Sequence, residues 1–249
     1  MRDWQEECMR RVLWIRQIIG REGKIVYGNS GGKDCTLAGI LCRMATEQVL
    51  GVIMPCQSSV NLGSDRDHAW LVAEKFRIET VEVDLSTIKG TFTETLEPML
   101  QNLTEDARRR ATMNINPRLR MTTLYAIAAA RGALVCGTGN RSELTMGYFT
   151  KWGDGACDFN PIADLTATEI FDFLRFLGAP DVIINKAPSA GLYEGQTDEQ
   201  EMGIRYAEID AYLLRGEGEA EKIAKVERQK QATAHKRRMP WFYPEPLPE

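Results

Sequence analysis

The sequence predicts an α/β protein: a doubly wound parallel sheet with additional C-terminal helices. Three observations carry that expectation. Short apolar runs alternate with amphipathic stretches between residues 24 and 137, the pattern of strands joined by crossover helices. The first run empties into a glycine-rich turn, Gly28-Asn29-Ser30-Gly31-Gly32-Lys33-Asp34-Cys35. Over the last hundred residues helical periodicity dominates instead.

Taken in order, Trp4, Cys8, Val12, Ile15 and Ile19 recur at steps of three and four and predict an amphipathic helix over 4–19. Lys24-Ile25-Val26-Tyr27 reads as a short buried strand. The helix after the glycine turn carries Leu37, Ile40, Leu41 and Met44 on one face. Val49 to Met54 is the second strand, stopped by Pro55; His68 to Phe76 is helical; Thr80 to Val83 is the third strand. Helical stretches around 91–103 and 118–131 precede a fourth strand, Ala133 to Cys136, with Gly132 as the C-cap before it. Thr166-Ala167-Thr168-Glu169 fits a capping box ahead of Ile170, Phe173, Leu174 and Leu177, and Gly178 and Pro180 end that helix. Another helix is expected from about 200 to 214, with Ile204, Ile209 and Leu213 inward. The Pro-rich, aromatic tail from 236 reads as packing on a surface. No repeat or low-complexity linker divides the chain. It reads as one domain, 1–249, with a core over about 20–180 and a helical segment and tail over about 181–249.

Composition narrows the class. With 43% hydrophobic residues among 249, the chain can bury enough surface to offset chain entropy, which excludes disorder for most of it. No apolar run approaches the roughly 20 residues of a membrane span. The start, Met1 to Glu7, carries acids and no apolar stretch, so no signal peptide is expected and the chain reads as cytoplasmic. There most of the six cysteines (8, 35, 42, 56, 136 and 157) are expected to be small buried hydrophobes, and a disulfide framework is not expected. None forms a CxxC pair, and His68 and His235 stand far apart, so zinc spacing is absent. The net charge of −4 argues against general nucleic-acid binding, while a polyphosphate ligand needs only a local basic patch.

In such sheets ligands bind beyond the carboxyl ends of the strands, where Gly28 to Cys35 emerges. Glycines let the backbone approach a ligand, Ser30 offers a hydroxyl, and the following helix N-terminus attracts anions. The physical reading is a phosphate cradle; the plain alternative is an ordinary glycine-rich turn. The Walker pattern is excluded, because the residue five before Gly32 is Tyr27 and Asp34 follows Lys33. GxGxxG is absent too.

Ser30-Gly31-Gly32-Lys33-Asp34 resembles the SGGxDS loop of the ATP pyrophosphatases, which cleave ATP to AMP and pyrophosphate. The later motifs resemble those of one family within that group, the ammonia-dependent NAD synthetases. Arg118-Leu119-Arg120-Met121 is similar to its RxRM segment, and Gly137-Thr138-Gly139-Asn140-Arg141-Ser142-Glu143 to its GTGNxSE turn. The run from Gly147 through Lys151 to Asp158 is similar to its GYFTKxGDGxxD loop. Pro188-Ser189-Ala190-Gly191-Leu192 and His235-Lys236-Arg237 match its PSAGL and HKR stretches.

The resemblance implies an adenine nucleotide alpha hydrolase-like, Rossmann-like fold and a two-step reaction. The nicotinate carboxylate of deamido-NAD attacks the α-phosphate of ATP, releasing pyrophosphate; ammonia then displaces AMP. It further implies ATP contacts from Gly28, Asn29, Ser30, Gly31, Gly32, Lys33, Asp34, Cys35, Thr138 and Ser189. Asp34 and Glu143 are the implied Mg²⁺ ligands, hard oxygen donors that suit that ion. Arg118, Lys151, Asp158, His235 and Lys236 would contact deamido-NAD, whose pyrophosphate and carboxylate suit Arg forks and Lys point charges. Lys151 and Asp158 are the implied catalytic pair, Asp158 holding ammonium and taking its proton. Arg120 stays open between a site residue and a surface charge at a helix start. A homodimer is implied, for which the helices at 4–19 and from 118 are candidate interface elements; the segments 84–92 and 188–202, rich in polar residues and glycine, read as lids. The chain length leaves no room for an ammonia-generating domain, so free ammonia is expected. Neither nucleic acid nor membrane is an expected partner.

Two positions depart from the family pattern. Cys35 stands where the loop usually ends in Ser or Thr, and a thiol is the weaker donor. Ala167 stands where Leu-Thr-Lys supplies an ATP-contacting lysine; Lys33 or Lys186 is the expected substitute. Two rival readings remain. An ATP pyrophosphatase acting on another substrate would show a basic nucleic-acid face or paired redox cysteines. A non-catalytic homologue would bind nucleotide without releasing pyrophosphate.

Overall fold

Four strands form a single all-parallel sheet in the computed structural model, which describes residues 2–56, 63–186, 198–240 and 243. They are β1 (Lys24–Gly28), β2 (Val49–Ile53), β3 (Glu79–Glu82) and β4 (Ala133–Cys136), in the order β3-β2-β1-β4. Ile25 pairs with Val49 on one side and with Leu134 on the other. The chain winds outward from β1 to β3 and then returns to the far side of β1. This leaves a crevice between β1 and β4 where the winding reverses, the place such sheets bind ligands.

Strand alternation sorts the core. Ile25, Tyr27, Val49 and Cys136 face α1 (Trp4–Ile19), α2 (Lys33–Ala45) and a later helix, α8 (Ala167–Phe176). Val26, Leu50, Val52 and Val135 face the opposite side, covered by α6 (Ile115–Arg131). The remaining helices before β4 are α3 (Ser64–Phe76), α4 (Ser86–Leu100) and α5 (Glu105–Met113); α7 (Arg141–Met146) follows it. A third cluster joins Met146, Ala167, Met202, Ile204, Tyr206 and Ile209. It is built from α10 (Asp198–Met202), α11 (Tyr206–Arg215) and α12 (Ala220–Ala232), after the short α9 (Asp181–Ile184). Among the described residues, no helix is long and apolar enough to cross a membrane.

The sequence expectations hold for most elements, including both edges of the fourth strand, the Gly132 cap and the Thr166–Glu169 capping box. Five points differ. Met44 is exposed rather than on the buried face, since α2 is covered on almost every other side. The helix expected at 200–214 is two helices, because Gly203 takes φ 60° and turns the chain between them. α4 begins at Ser86, not 91, where the Asp84 carboxylate accepts the Ser86 N–H at 2.8 Å; residues 86–92 are therefore helical. α5 and α12 went unpredicted because they lack an apolar stripe: α12 buries only Val226, and α5 starts from a Thr104 cap on an almost wholly polar segment. The third strand starts one residue early, at Glu79. The Ser189 motif and most of the 188–202 segment lie outside the described residues.

Candidate active site

The loop from Gly28 to Gly32 crosses the carboxyl end of β1 and feeds α2. Asn29 is buried and holds it there: its N–H donates to the Val52 carbonyl at 2.9 Å and its Nδ2 to the Ala69 carbonyl at 3.1 Å. Its Oδ1 accepts the Gly31 N–H at 3.3 Å. Gly31 has φ 69°, and a Cβ there would lie 2.2 Å from the Asp65 carbonyl oxygen, so only glycine fits. Ser30 is exposed. Cys35 turns its thiol toward the Gly32 carbonyl at 3.2 Å and the Ser30 hydroxyl at 3.3 Å.

Across the crevice, Asn140 ties two carboxylates together. Its Nδ2 donates to Asp34 Oδ1 at 3.0 Å, and its N–H donates to Glu143 Oε2 at 2.9 Å within the capping box that starts α7. Asn140 is fully buried, and Thr138 lies half-buried just before it. Lys33 is buried beside them, its Nζ 2.6 Å from Asp34 Oδ2. That ammonium sits over the rings of Tyr206 (5.3 Å) and Phe171 (5.8 Å), the latter one turn beyond Ala167 on α8. Ala167 is itself fully buried, and Lys186 is engaged elsewhere, 2.6 Å from Asp65. Burial and the Asp34 charge push the Glu143 carboxyl well above its ordinary value. Burial alone would lower Lys33, but the surrounding carboxylates of Asp34 and Glu143 outweigh it and raise the group.

A second group gathers where the loop after α7 meets the end of α12. Lys151 donates from Nζ to the His235 carbonyl at 2.7 Å and lies over the Trp152 ring at 5.3 Å. Lys236 donates to the carbonyls of Gly147 (2.7 Å) and Phe149 (2.8 Å). Arg118 approaches the Lys151 carbonyl at 3.5 Å. Trp152 is held exposed at φ 62°, a strained value for a bulky residue. Burial lowers the Lys236 ammonium, while Asp154 partly restores it.

Asp158 stands apart, at the outer edge of β4. Its carboxylate accepts the Val135 N–H at 2.7 Å and the Tyr125 hydroxyl at 3.3 Å, and burial with the Asp158 charge pushes Tyr125 up to about 12. Arg120 is no surface charge. It is half-buried, donates to the Met54 carbonyl at 3.1 Å at the end of β2, and feels both Asp65 beside the glycine loop and Asp154 in the outer loop. Sequence reasoning passed over Asn140, Tyr206 and Asp198. The Asn140 signal was present in the Asn140-to-Glu143 spacing; Tyr206 and its acceptor Asp198 (3.0 Å) arrive from distant helices.

Among the described residues no group of three or more His, Cys, Asp or Glu side chains stands ready as a metal cage. Asp34 and Glu143 nevertheless offer two hard oxygen donors held by one asparagine and sharing the single ammonium of Lys33, a donor set that fits a divalent cation completed by nucleotide oxygens.

The family described as NAD synthase matches residues 7–240. The chain belongs to that family. The NH(3)-dependent NAD(+) synthetase of Carboxydothermus hydrogenoformans is 45% identical, over 96% of this chain and 97% of its own. Among solved structures, the NMN synthetase of Francisella tularensis aligns with a TM-score of 0.88 at 32% identity, covering 98% of this chain and 100% of its own. The NAD+ synthetase of Burkholderia pseudomallei aligns with a TM-score of 0.78 at 29% identity, over 96% and 92% of the two chains. As an NAD synthase family member the chain has the expected Rossmann-like α/β fold, with the family's glycine loop and GTGNxSE turn facing each other across the β1/β4 crevice.

Proposed function

We propose that this protein is an ammonia-dependent NAD synthetase: ATP adenylates the nicotinate carboxylate of deamido-NAD, and ammonia then displaces AMP to give NAD. The observation that carries the reading is the convergence of Asp34 and Glu143 on Asn140 at the switch point, opposite a glycine loop whose backbone can approach phosphate. A carboxylate becomes an acyl donor only when its oxygen leaves easily, and transfer of AMP supplies that leaving group. In the reading, Asp34 and Glu143 hold Mg²⁺, which when bound neutralises charge developing on the phosphates. The Gly28–Cys35 loop, Thr138 and Ser189 bind ATP. Arg118, Lys151, His235 and Lys236 bind the dinucleotide's anionic groups. Asp158, oriented by Tyr125 and the Val135 N–H, receives the ammonium proton.

A homodimer belongs to the same reading. Its support is α4, a helix of 15 residues with none buried, which presents Ile88, Phe92 and Met99 uncovered beside α6. A cytoplasmic setting is supported by six cysteines, all free.

The likeness to an NMN synthetase favours a second reading, in which the acid amidated is nicotinate mononucleotide. One incubation separates them. The chain, ATP, Mg²⁺ and ammonium are mixed with either deamido-NAD or nicotinate mononucleotide, and amide product, AMP and pyrophosphate are quantified. Equal amounts of all three with deamido-NAD, dependent on ammonium, are expected. The same stoichiometry with the mononucleotide alone transfers the function to the second reading, and pyrophosphate release with neither overturns both.

A further inference from the structure

Lys33 has a place that binding phosphate does not explain. Lysines are seldom buried without a partner, and this one is 7% exposed. Its partner is its own neighbour on α2, although adjacent helix residues do not ordinarily face each other. The ammonium reaches Asp34 Oδ2 at 2.6 Å because Tyr206 and Phe171 wall it in from α11 and α8. Asp198, which accepts the Tyr206 hydroxyl at 3.0 Å, and Glu143 add their charges to the same enclosure. A fixed monovalent cation therefore sits on one of the two carboxylates assigned to the metal.

We propose that Lys33 is an internal counter-ion that occupies Asp34 until nucleotide arrives, so that the divalent cation enters with ATP and not before it. The inference rests on the reading of Asp34 and Glu143 as metal ligands. A divalent ion alone has to displace the ammonium from Asp34 Oδ2 against the ion pair that holds it there, with no new anion to offset the loss. The polyphosphate brings new acceptor oxygens for both cations, so Lys33 can pass from carboxylate to phosphate as the metal takes Asp34. Lys33 is a positioning residue in this scheme, acting on the metal site through Asp34.

The test is Mn²⁺ binding to the full-length, nucleotide-free chain, read from the free-Mn²⁺ paramagnetic resonance signal. Lys33→Met, close in length and suited to the aromatic walls, is expected to bind Mn²⁺ ~10-fold or more tightly than wild type, because attraction to Asp34 no longer competes. Lys33→Arg keeps the charge and is expected to match wild type. Adding Asp34→Asn to Lys33→Met is expected to cancel the gain, which a general loosening of the fold would not do. Lys33→Gln serves if Lys33→Met does not fold. Equal Mn²⁺ affinity in wild type and the neutral variants overturns the proposal and leaves the metal reading standing. If Mn²⁺ also fails to strengthen binding of a non-hydrolysable ATP analogue to any of these proteins, the metal reading falls and takes the proposal with it.

Discussion

The two charged regions of this molecule solve the problem of holding ions in opposite ways. In the β1/β4 crevice the charges answer one another: Lys33 pairs with Asp34, Asn140 spans Asp34 and Glu143, and Lys33 and Asn140 are buried while the two carboxylates are half-buried. In the outer region Lys151 and Lys236 donate only to backbone carbonyls and Arg237 to carbonyls and the Thr233 hydroxyl, and among the described residues none of them, nor Arg118, forms an ion pair with a carboxylate. Carbonyl dipoles orient an ammonium without cancelling its charge. The first region is poised to exchange cations, and the second is left with positive charge for an anionic ligand.

Asp34→Asn is the largest break, since it removes the carboxylate shared by Lys33 and the proposed metal. We expect pyrophosphate release to fall by at least ~100-fold, equivalent to ~2.7 kcal/mol, with the far-ultraviolet circular dichroism spectrum unchanged. Lys236→Met strikes the other region. It should raise KM for the dinucleotide by about tenfold, or ~1.4 kcal/mol, and leave KM for ATP alone; an equal rise in both would dissolve the distinction between the regions.

Titration sharpens the contrast further. Lys236 is lowered from 10.5, so it loses its proton earlier than a free lysine as pH rises. Lys33 is raised, so it keeps its proton throughout that range. Dinucleotide affinity should therefore decline on the alkaline side by about threefold while ATP affinity holds, and Lys236→Met should abolish the decline; parallel titration calorimetry of both ligands decides it. The smallest effect concerns Cys35. Its thiol is turned to Gly32 and Ser30, so Cys35→Ser should shift KM for ATP by less than about twofold, measured under initial-rate conditions.

Much of this was legible before any coordinates. The β1–β4 runs, the Gly132 cap and the capping box at Thr166 are local: their hydrogen bonds and periodicities join residues within a few positions. The glycine loop announced itself for the same reason, and Asp34 and Glu143 could be singled out from the motifs around them. α5 and α12 were illegible because their helicity is not written as an apolar stripe. Arg120 reads equally well as a surface charge until the β2 carbonyl that receives it is known.

The sequence by itself determined the alternation of strands and helices, the phosphate-approaching loop and the family to which its motifs belong. Only the tertiary structure decided what each charge does. Whether Lys33 faces solvent or a carboxylate depends on Tyr206 and Phe171, more than a hundred residues away, and whether Lys236 is quenched depends on carbonyls at Gly147 and Phe149. A charge takes its meaning from its dielectric surroundings and its partners, and these are assembled from segments that the chain holds far apart until it folds.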